Sequence, residues 1–549
     1  MEPDSSTPLL TPDESLNRGL NTEDEVSSDS GNSTDNTHRK KRRQRLPFHY
    51  PHVHKSARMR REAGSRGIAT YHRYRYYNKL ADPTIDTLSI PNHVVPHTFL
   101  FPLSSILTGK QGSLVTIFSI WNTMMGSSLL SMPWAIQEAG FAAGLIILFV
   151  MGGLCFYTAY RIVSLRSLAD LPSSAVEFPD LCRLLLGPWA EWIATFFSLI
   201  PLLGGAVVYW VLMSNFLYFI GVYSYESFHI GVNNSNVDNS SFPDVYCPTT
   251  IPVTETLVLH HGGNSTSDAF YKYWNMDLPI PLYIALFFLP FVSLKSPTFF
   301  SKLNALGTVA VIVLILFIIA KGVIWGINFN TIDPYSINYV QLFKSTFPVL
   351  VGTLSLSFFI HNCVLSLMRN QKKPENNPRD LAIAYVLVGT TYLIVGGVFF
   401  ATFPLQKECI EDNLLNNFKS NDSMALAARI FLLFQVISLY PLIVYILRVQ
   451  IMHFFYGTTY PSWKPVFILN ISVITVCILF NIFYPKVGTI IRYCGAVSGL
   501  AFIFTLPCIT YMKALHEKKQ LSVWNAAIHV CIMILGVCNF ISQFLMHGK

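Results

Sequence analysis

The residues best suited to chemistry lie in a single apolar stretch. From Leu114 to Gly140 the chain reads LVTIFSIWNTMMGSSLLSMPWAIQEAG, with no charge between Lys110 and Glu138. A run of that length and polarity crosses a bilayer as a helix. Its centre does not suit a plain helix, because Asn122, Thr123, Gly126, Ser127, Ser128 and Ser131 gather at the midplane and Pro133 has no N–H for the carbonyl of Leu129. An unpaired peptide group in hydrocarbon costs several kcal/mol, so such a segment must face protein, water or a ligand. Two readings follow: a helix contact lined by small residues, or a discontinuous helix that binds a substrate.

A second stretch of the same kind runs from Phe347 to Cys363 and reads FPVLVGTLSLSFFIHNC, with Gly352, Thr353, Ser355, Ser357, His361 and Asn362 at membrane depth. With no proline at its centre, a break there is expected to rest on Gly352 and the serines. Polar, glycine-bearing spans at positions one and six are the pattern left by two five-helix repeats of inverted topology. Half-helix ends offer free amides to an anion and free carbonyls to a cation. An α-amino acid carries both charges on adjacent atoms and fits such a site. No glycine-rich phosphate loop, zinc-ligand spacing or nucleophile elbow is present, so the chain is expected not to be an enzyme.

The elements that must position these residues are membrane helices. Of 549 residues 52% are hydrophobic and only 13% charged, about half the charged share of a soluble domain. Apolar length and flanking punctuation predict about eleven spans, near 114–137, 141–164, 190–221, 280–294, 303–327, 346–368, 381–404, 425–451, 466–484, 488–513 and 523–546. The net charge of +8 sits in an N-terminal basic block and in alternate loops, which speaks for membrane orientation and against nucleic acid. The first forty residues have no apolar core of a signal peptide, so the tail is expected to stay cytosolic. On that orientation the sequons at Asn233, Asn239, Asn264 and Asn421 fall in non-cytosolic loops, three of them in a long loop at about 222–279. Cys247 and Cys409 lie in the same two loops, and a disulfide between them is expected.

The tail, about 1–110, divides by composition. Met1 to Thr37 is polar and reads as disordered. Its DSSTPLL resembles an acidic dileucine sorting signal, or is a chance Pro-Leu-Leu. The basic run His38 to Arg45 suits anionic cytosolic lipid or plain solvation. Tyr71 to Leu80 holds Tyr74, Tyr76 and Tyr77 among arginines, a composition suited to docking a protein or to lying on the membrane surface. Ile85 to Pro96 forms two short apolar runs around Pro91-Asn92, a hairpin that needs a supporting surface. That surface is either a partner or the cavity of the membrane domain.

The run Trp121 to Ala135, WNTMMGSSLLSMPWA, resembles the first helix of the amino acid/auxin permease superfamily, and within it the chain is similar to the sodium-coupled neutral amino acid transporters of solute carrier family 38. The segment from His72 to Pro96, Phe359-Ile-His-Asn-Cys363, and Arg429 to Gln435 point to the lysosomal, arginine-sensing branch of that family. The resemblance implies an all-α polytopic membrane protein of LeuT-like fold, with helices one to five and six to ten as inverted repeats and an eleventh appended. It implies substrate, whether arginine, leucine or another neutral amino acid, at Thr123, Met124, Gly126, Ser127 and Ser128, facing Ser355, Phe359 and Cys363. A sodium ion would sit at Asn122 and a hydroxyl of helix eight, here Ser438. The tail, about 71–97, would engage the Rag GTPases and Ragulator of the mTORC1 pathway at the lysosomal or late endosomal membrane, through Tyr74, Tyr76, Tyr77, Leu80, Pro91 and Pro96.

Overall fold

The computed structural model describes residues 112–168, 177–229, 244–248, 270–294, 307–368, 371–456, 458 and 460–546. The tail with all its expected contact residues, and Asn233, Asn239 and Asn264, lie outside them. The described residues are helical, with only two isolated β-bridges. Eight helices are long and apolar enough to span a bilayer, one bent pair does so jointly, and two shorter apolar helices accompany them.

In chain order the first span is Ser113–Met124 followed by Ser128–Ala139. The second is Phe141–Leu168, the third Pro188–His229 behind a short helix Phe178–Leu186, the fourth Pro279–Val292 and the fifth Gly307–Trp325. The sixth is Pro348–Ser357 and Val364–Met368. The seventh is Asn377–Tyr392, continued through a π-helical turn Leu393–Val398 into Phe399–Thr402. The eighth is Ser423–Tyr456, the ninth Trp463–Phe483, and the eleventh Val523–Leu545. The tenth, Val487–Gly499 to Leu506–Glu517, also carries a π-helical turn, Leu500–Thr505. Proline opens the third, fourth and sixth spans, where its missing N–H would have had no partner in any case.

Both expected interruptions are present, at spans one and six. The halves of the first span meet at 64°, with the break at Met125–Ser127 and Pro133 inside the second half. The sixth span breaks at Phe358–Cys363, after the serines, and this corrects the expectation that Gly352 would open it. Gly352 instead lets helices approach. A Cβ on Gly495 of the tenth span would lie 2.2 Å from the Gly352 carbonyl oxygen, and a Cβ on Gly352 3.0 Å from the Arg492 carbonyl oxygen. Small-residue packing therefore governs the first half of the sixth span, and interruption governs the first span.

One end of the bundle is closed by loops. Cys247 and Cys409 form the expected disulfide. Val245 pairs with Phe418, and Tyr246 donates its N–H to the carbonyl of Asn417, 3.1 Å away. The Lys321 ammonium reaches Asp244 at 2.7 Å and also Asp422, which gives the buried cation two anionic partners. Arg429 donates to the carbonyls of Leu415 and Phe418 at 2.8 and 2.9 Å. Asn421 is exposed at this end.

Candidate functional site

The first half of the first span stops at Met124 because Met125, whose N–H still makes the last helical bond, leaves helical ψ, and the N–H groups of the next three residues do not continue the ladder. Met125 turns its N–H back to the Trp121 carbonyl at 3.0 Å and takes φ −76°, ψ 88°. The helix restarts with tight bonds, from the Leu129 N–H to the Gly126 carbonyl at 3.2 Å and from the Leu130 N–H to the Ser127 carbonyl at 3.1 Å. The N–H groups of Gly126, Ser127 and Ser128 meet no acceptor among the described residues. Three free amides at the positive end of a helix dipole form a site for a carboxylate.

Gly126 and Ser127 open on a narrow cavity. The third span contributes Tyr209, Leu212 and Phe216, the fifth Val311 and Leu314, and the eighth Leu432, Gln435, Val436 and Leu439. The walls are apolar apart from Ser127, Tyr209 and Gln435, and no acidic residue lines them. A cationic side chain would find no carboxylate there, whereas an aliphatic one would replace water against leucine and valine. The cavity, about 20 Å³, has room for about one water, so its walls are closed in this conformation and would have to part for an amino acid with its carboxylate on the free amides and a neutral side chain among spans three, five and eight.

The model of the family described as "Transmembrane amino acid transporter protein" matches residues 109–241 and 247–546. The chain belongs to that family. Among relatives of this amino acid transporter, a protein named sodium-coupled neutral amino acid transporter 9 homolog from Caenorhabditis elegans is 45% identical over 86% of this chain and 80% of its own length. Neutral amino acid transporter 9 of Xenopus tropicalis is 42% identical over 86% and 89%, and that of Rattus norvegicus 40% identical over 86% and 88%. A crystal structure of MhsT in complex with L-phenylalanine aligns over 78% of this chain and 97% of its own, at 13% identity and a TM-score of 0.44.

The remaining sequence-derived residues of this transporter fall in several places. Thr123 donates its hydroxyl to the Ser119 carbonyl at 2.7 Å, and Met124 is buried with its carbonyl bonded to Tyr392. Ser355 donates to the Val351 carbonyl and lies against Gly499 of the tenth span. Phe359 packs edge-on against Phe502, rings 5.6 Å apart, and the Cys363 thiol faces the Ile360 carbonyl at 3.5 Å. The sixth-span residues thus sit toward the tenth span, and the cavity walls come from spans three, five and eight. Asn122 accepts from the Thr308 hydroxyl at 3.1 Å, whereas Ser438 donates to the Gln435 carbonyl at 2.7 Å. Sequence reasoning missed Tyr209, Gln435 and Thr308. Gln435 carried the clearest signal, an uncharged amide within the apolar run Ile430 to Val436.

Proposed function

We propose that this amino acid transporter carries neutral amino acids, with the substrate carboxylate on the amides of Gly126, Ser127 and Ser128 and its side chain against the third, fifth and eighth spans. The observation that carries this reading is a cavity lined by Gly126 and Ser127, at the start of a helix whose first amides have no acceptor among the described residues, with apolar walls and no acid. The relatives' names, neutral amino acid transporters, agree with it. Transport follows from alternating access, in which substrate shifts the balance of two conformations by as much as its affinity for them differs.

Sodium coupling is part of the proposal. Asn122 Oδ1 and Thr308 Oγ1 are neutral oxygens 3.1 Å apart, a donor type suited to a hard cation, and the family likeness alone adds Ser438. A lysosomal location with the N-terminus cytosolic, and arginine sensing through the tail to Rag GTPases and Ragulator in the mTORC1 pathway, rest on the likeness of residues 71–97 and on loop charge. Arginine would then be read mainly as a signal, since the cavity offers its guanidinium only uncharged oxygens, the hydroxyls of Ser127 and Tyr209 and the amide of Gln435, and no carboxylate.

Uptake by purified protein in proteoliposomes tests the reading, with leucine, phenylalanine and arginine each supplied with and without a sodium gradient. The expected result is sodium-stimulated leucine uptake at least several-fold above arginine uptake. Arginine flux equal to or above leucine flux would overturn the neutral-substrate reading. Loss of Rag binding on deletion of residues 1–97, with uptake intact, is expected for the signalling role, and retained binding would refute it.

A further inference from the structure

The two interrupted helices end on one hydroxyl. Tyr392, fully buried on the seventh span, places its Oη 2.8 Å from the Met124 carbonyl oxygen and 2.7 Å from the Ser357 carbonyl oxygen. Met124 is the last residue of the first half of span one, and Ser357 the last residue of the first half of span six. Both carbonyls lie at the negative ends of half-helices and have lost their helical partners, so in an apolar interior they require a donor. Tyr392 supplies a single O–H proton shared between the two carbonyls, at the residue where the seventh span passes into its π-helical turn, Leu393–Val398. Such turns are frequent at functional sites.

The surroundings fix that hydroxyl. Phe358, the first residue of the sixth-span break, meets the Tyr392 ring edge-on at 5.3 Å and stacks on Tyr385 at 5.9 Å. Tyr385 lies seven residues earlier, two turns along the same helix face. Its own hydroxyl faces the carbonyls of Phe358 and Cys155 at 3.2 and 3.3 Å, so it touches the second span and the sixth but not the first. Tyr392 alone of the pair acts on the first-span break. The peptide units that follow Met124 lead into Gly126 and Ser127, which line the cavity.

We propose that Tyr392 is a positioning residue for substrate: by holding the Met124 and Ser357 carbonyls together, its hydroxyl sets the orientation of the peptide units from Met125 to Ser128 that receive the carboxylate. This rests on the substrate site assigned above. Without the hydroxyl the Met124 carbonyl turns to find another donor and the amides lose their common aim. The loss is in affinity, because the moving parts of the transporter are unchanged.

The test is leucine uptake kinetics and equilibrium leucine binding by the full-length protein in proteoliposomes, for Tyr392→Phe, Tyr385→Phe and Gln435→Leu beside wild type. Tyr392→Phe is expected to raise the Kd and the half-saturating concentration tenfold or more with the maximal rate within threefold. Tyr385→Phe should leave both affinities within threefold. A tyrosine that merely stabilises the fold gives the opposite split, a lower maximal rate from fewer active molecules with unchanged affinity, and that outcome overturns the proposal. If Gln435→Leu weakens binding and Tyr392→Phe does not, the positioning role fails while the site stands; if neither weakens it, the site itself is misplaced. Should Tyr392→Phe yield no folded protein, 3-fluorotyrosine at position 392, which keeps the ring and makes the hydroxyl a stronger donor, should tighten binding at least twofold. Unchanged affinity there overturns the proposal equally.

Discussion

At the scale of single residues, the site depends on a few polar groups in an apolar wall. The Gln435 side chain makes no hydrogen bond among the described residues, yet it lines the cavity. Gln435→Leu should therefore leave thermal stability near wild type and weaken neutral amino acid uptake about tenfold in half-saturating concentration, the value of one hydrogen bond of about 1 to 1.5 kcal/mol. Glycines separate site from scaffold. A Cβ on Gly126 would lie 3.6 Å from Tyr209 Oη, an ordinary contact, so Gly126→Ala should fold normally and transport poorly because it narrows the cavity. In Gly495→Ala the new carbon meets the Gly352 carbonyl oxygen at 2.2 Å, and backbone cannot yield. A loss of about 1 to 3 kcal/mol or more is expected there, read as a lower Tm in detergent. Gly126 to Ser128 were legible in the sequence because hydrocarbon does not tolerate such polarity without a reason. Tyr209 was not, since VVYWVLM reads as core until its hydroxyl is seen facing the break.

At the scale of elements, the spans were legible from apolar length, and the fourth, expected near 280–294, is the short helix Pro279–Val292. The position of the sixth-span break was not legible. Glycine and serine mark both close helix approach and interruption, and only the tenth span lying against Gly352 distinguishes the two. The loop Lys407 to Asn417 showed only its cysteine in the sequence, yet its carboxyls are in unusual surroundings. Burial pushes Glu411 up to about 7, with Asp412 beside it adding to the rise and Lys486 opposing it. Burial pushes Asp412 up to about 6, against the Gly488 N–H at 2.8 Å and Lys486. Lys407 is pulled down to about 7 by burial, with Glu408 opposing.

The sign of the pH response follows from these shifts. Between about pH 7 and the ordinary carboxyl values, the closed loop binds more protons than an open, solvated one, so acidification from 7 toward 5 stabilises closure. Lys407 opposes this only above about 7, because below that it is protonated in both states. The loop should close more tightly at pH 5 than at pH 7, read as greater amide-exchange protection across Lys407 to Asn417 after correction for intrinsic rates, and Asp412→Asn, which keeps an acceptor for Gly488, should shrink the difference. An Asp412→Asn variant with the full wild-type pH difference would remove this loop as its source.

At the scale of the whole molecule, an interrupted helix at position one, another at position six and eleven apolar segments give a transporter whose substrate contacts are shared among distant parts of the chain. Gly126, Ser127, Tyr209 and Gln435 meet in one cavity although more than three hundred positions separate the ends of that set. The sequence placed the first-span residues opposite the sixth span, whereas this cavity is walled by spans three, five and eight: polarity marks a break, but which helices face it is decided by packing. The most direct test is a structure determined with leucine bound. The account predicts density whose carboxylate meets the N–H groups of Gly126, Ser127 and Ser128 and whose side chain lies between Tyr209 and Gln435. Density at the sixth-span break, against Ser355 and Phe359 and away from Gln435, would contradict it.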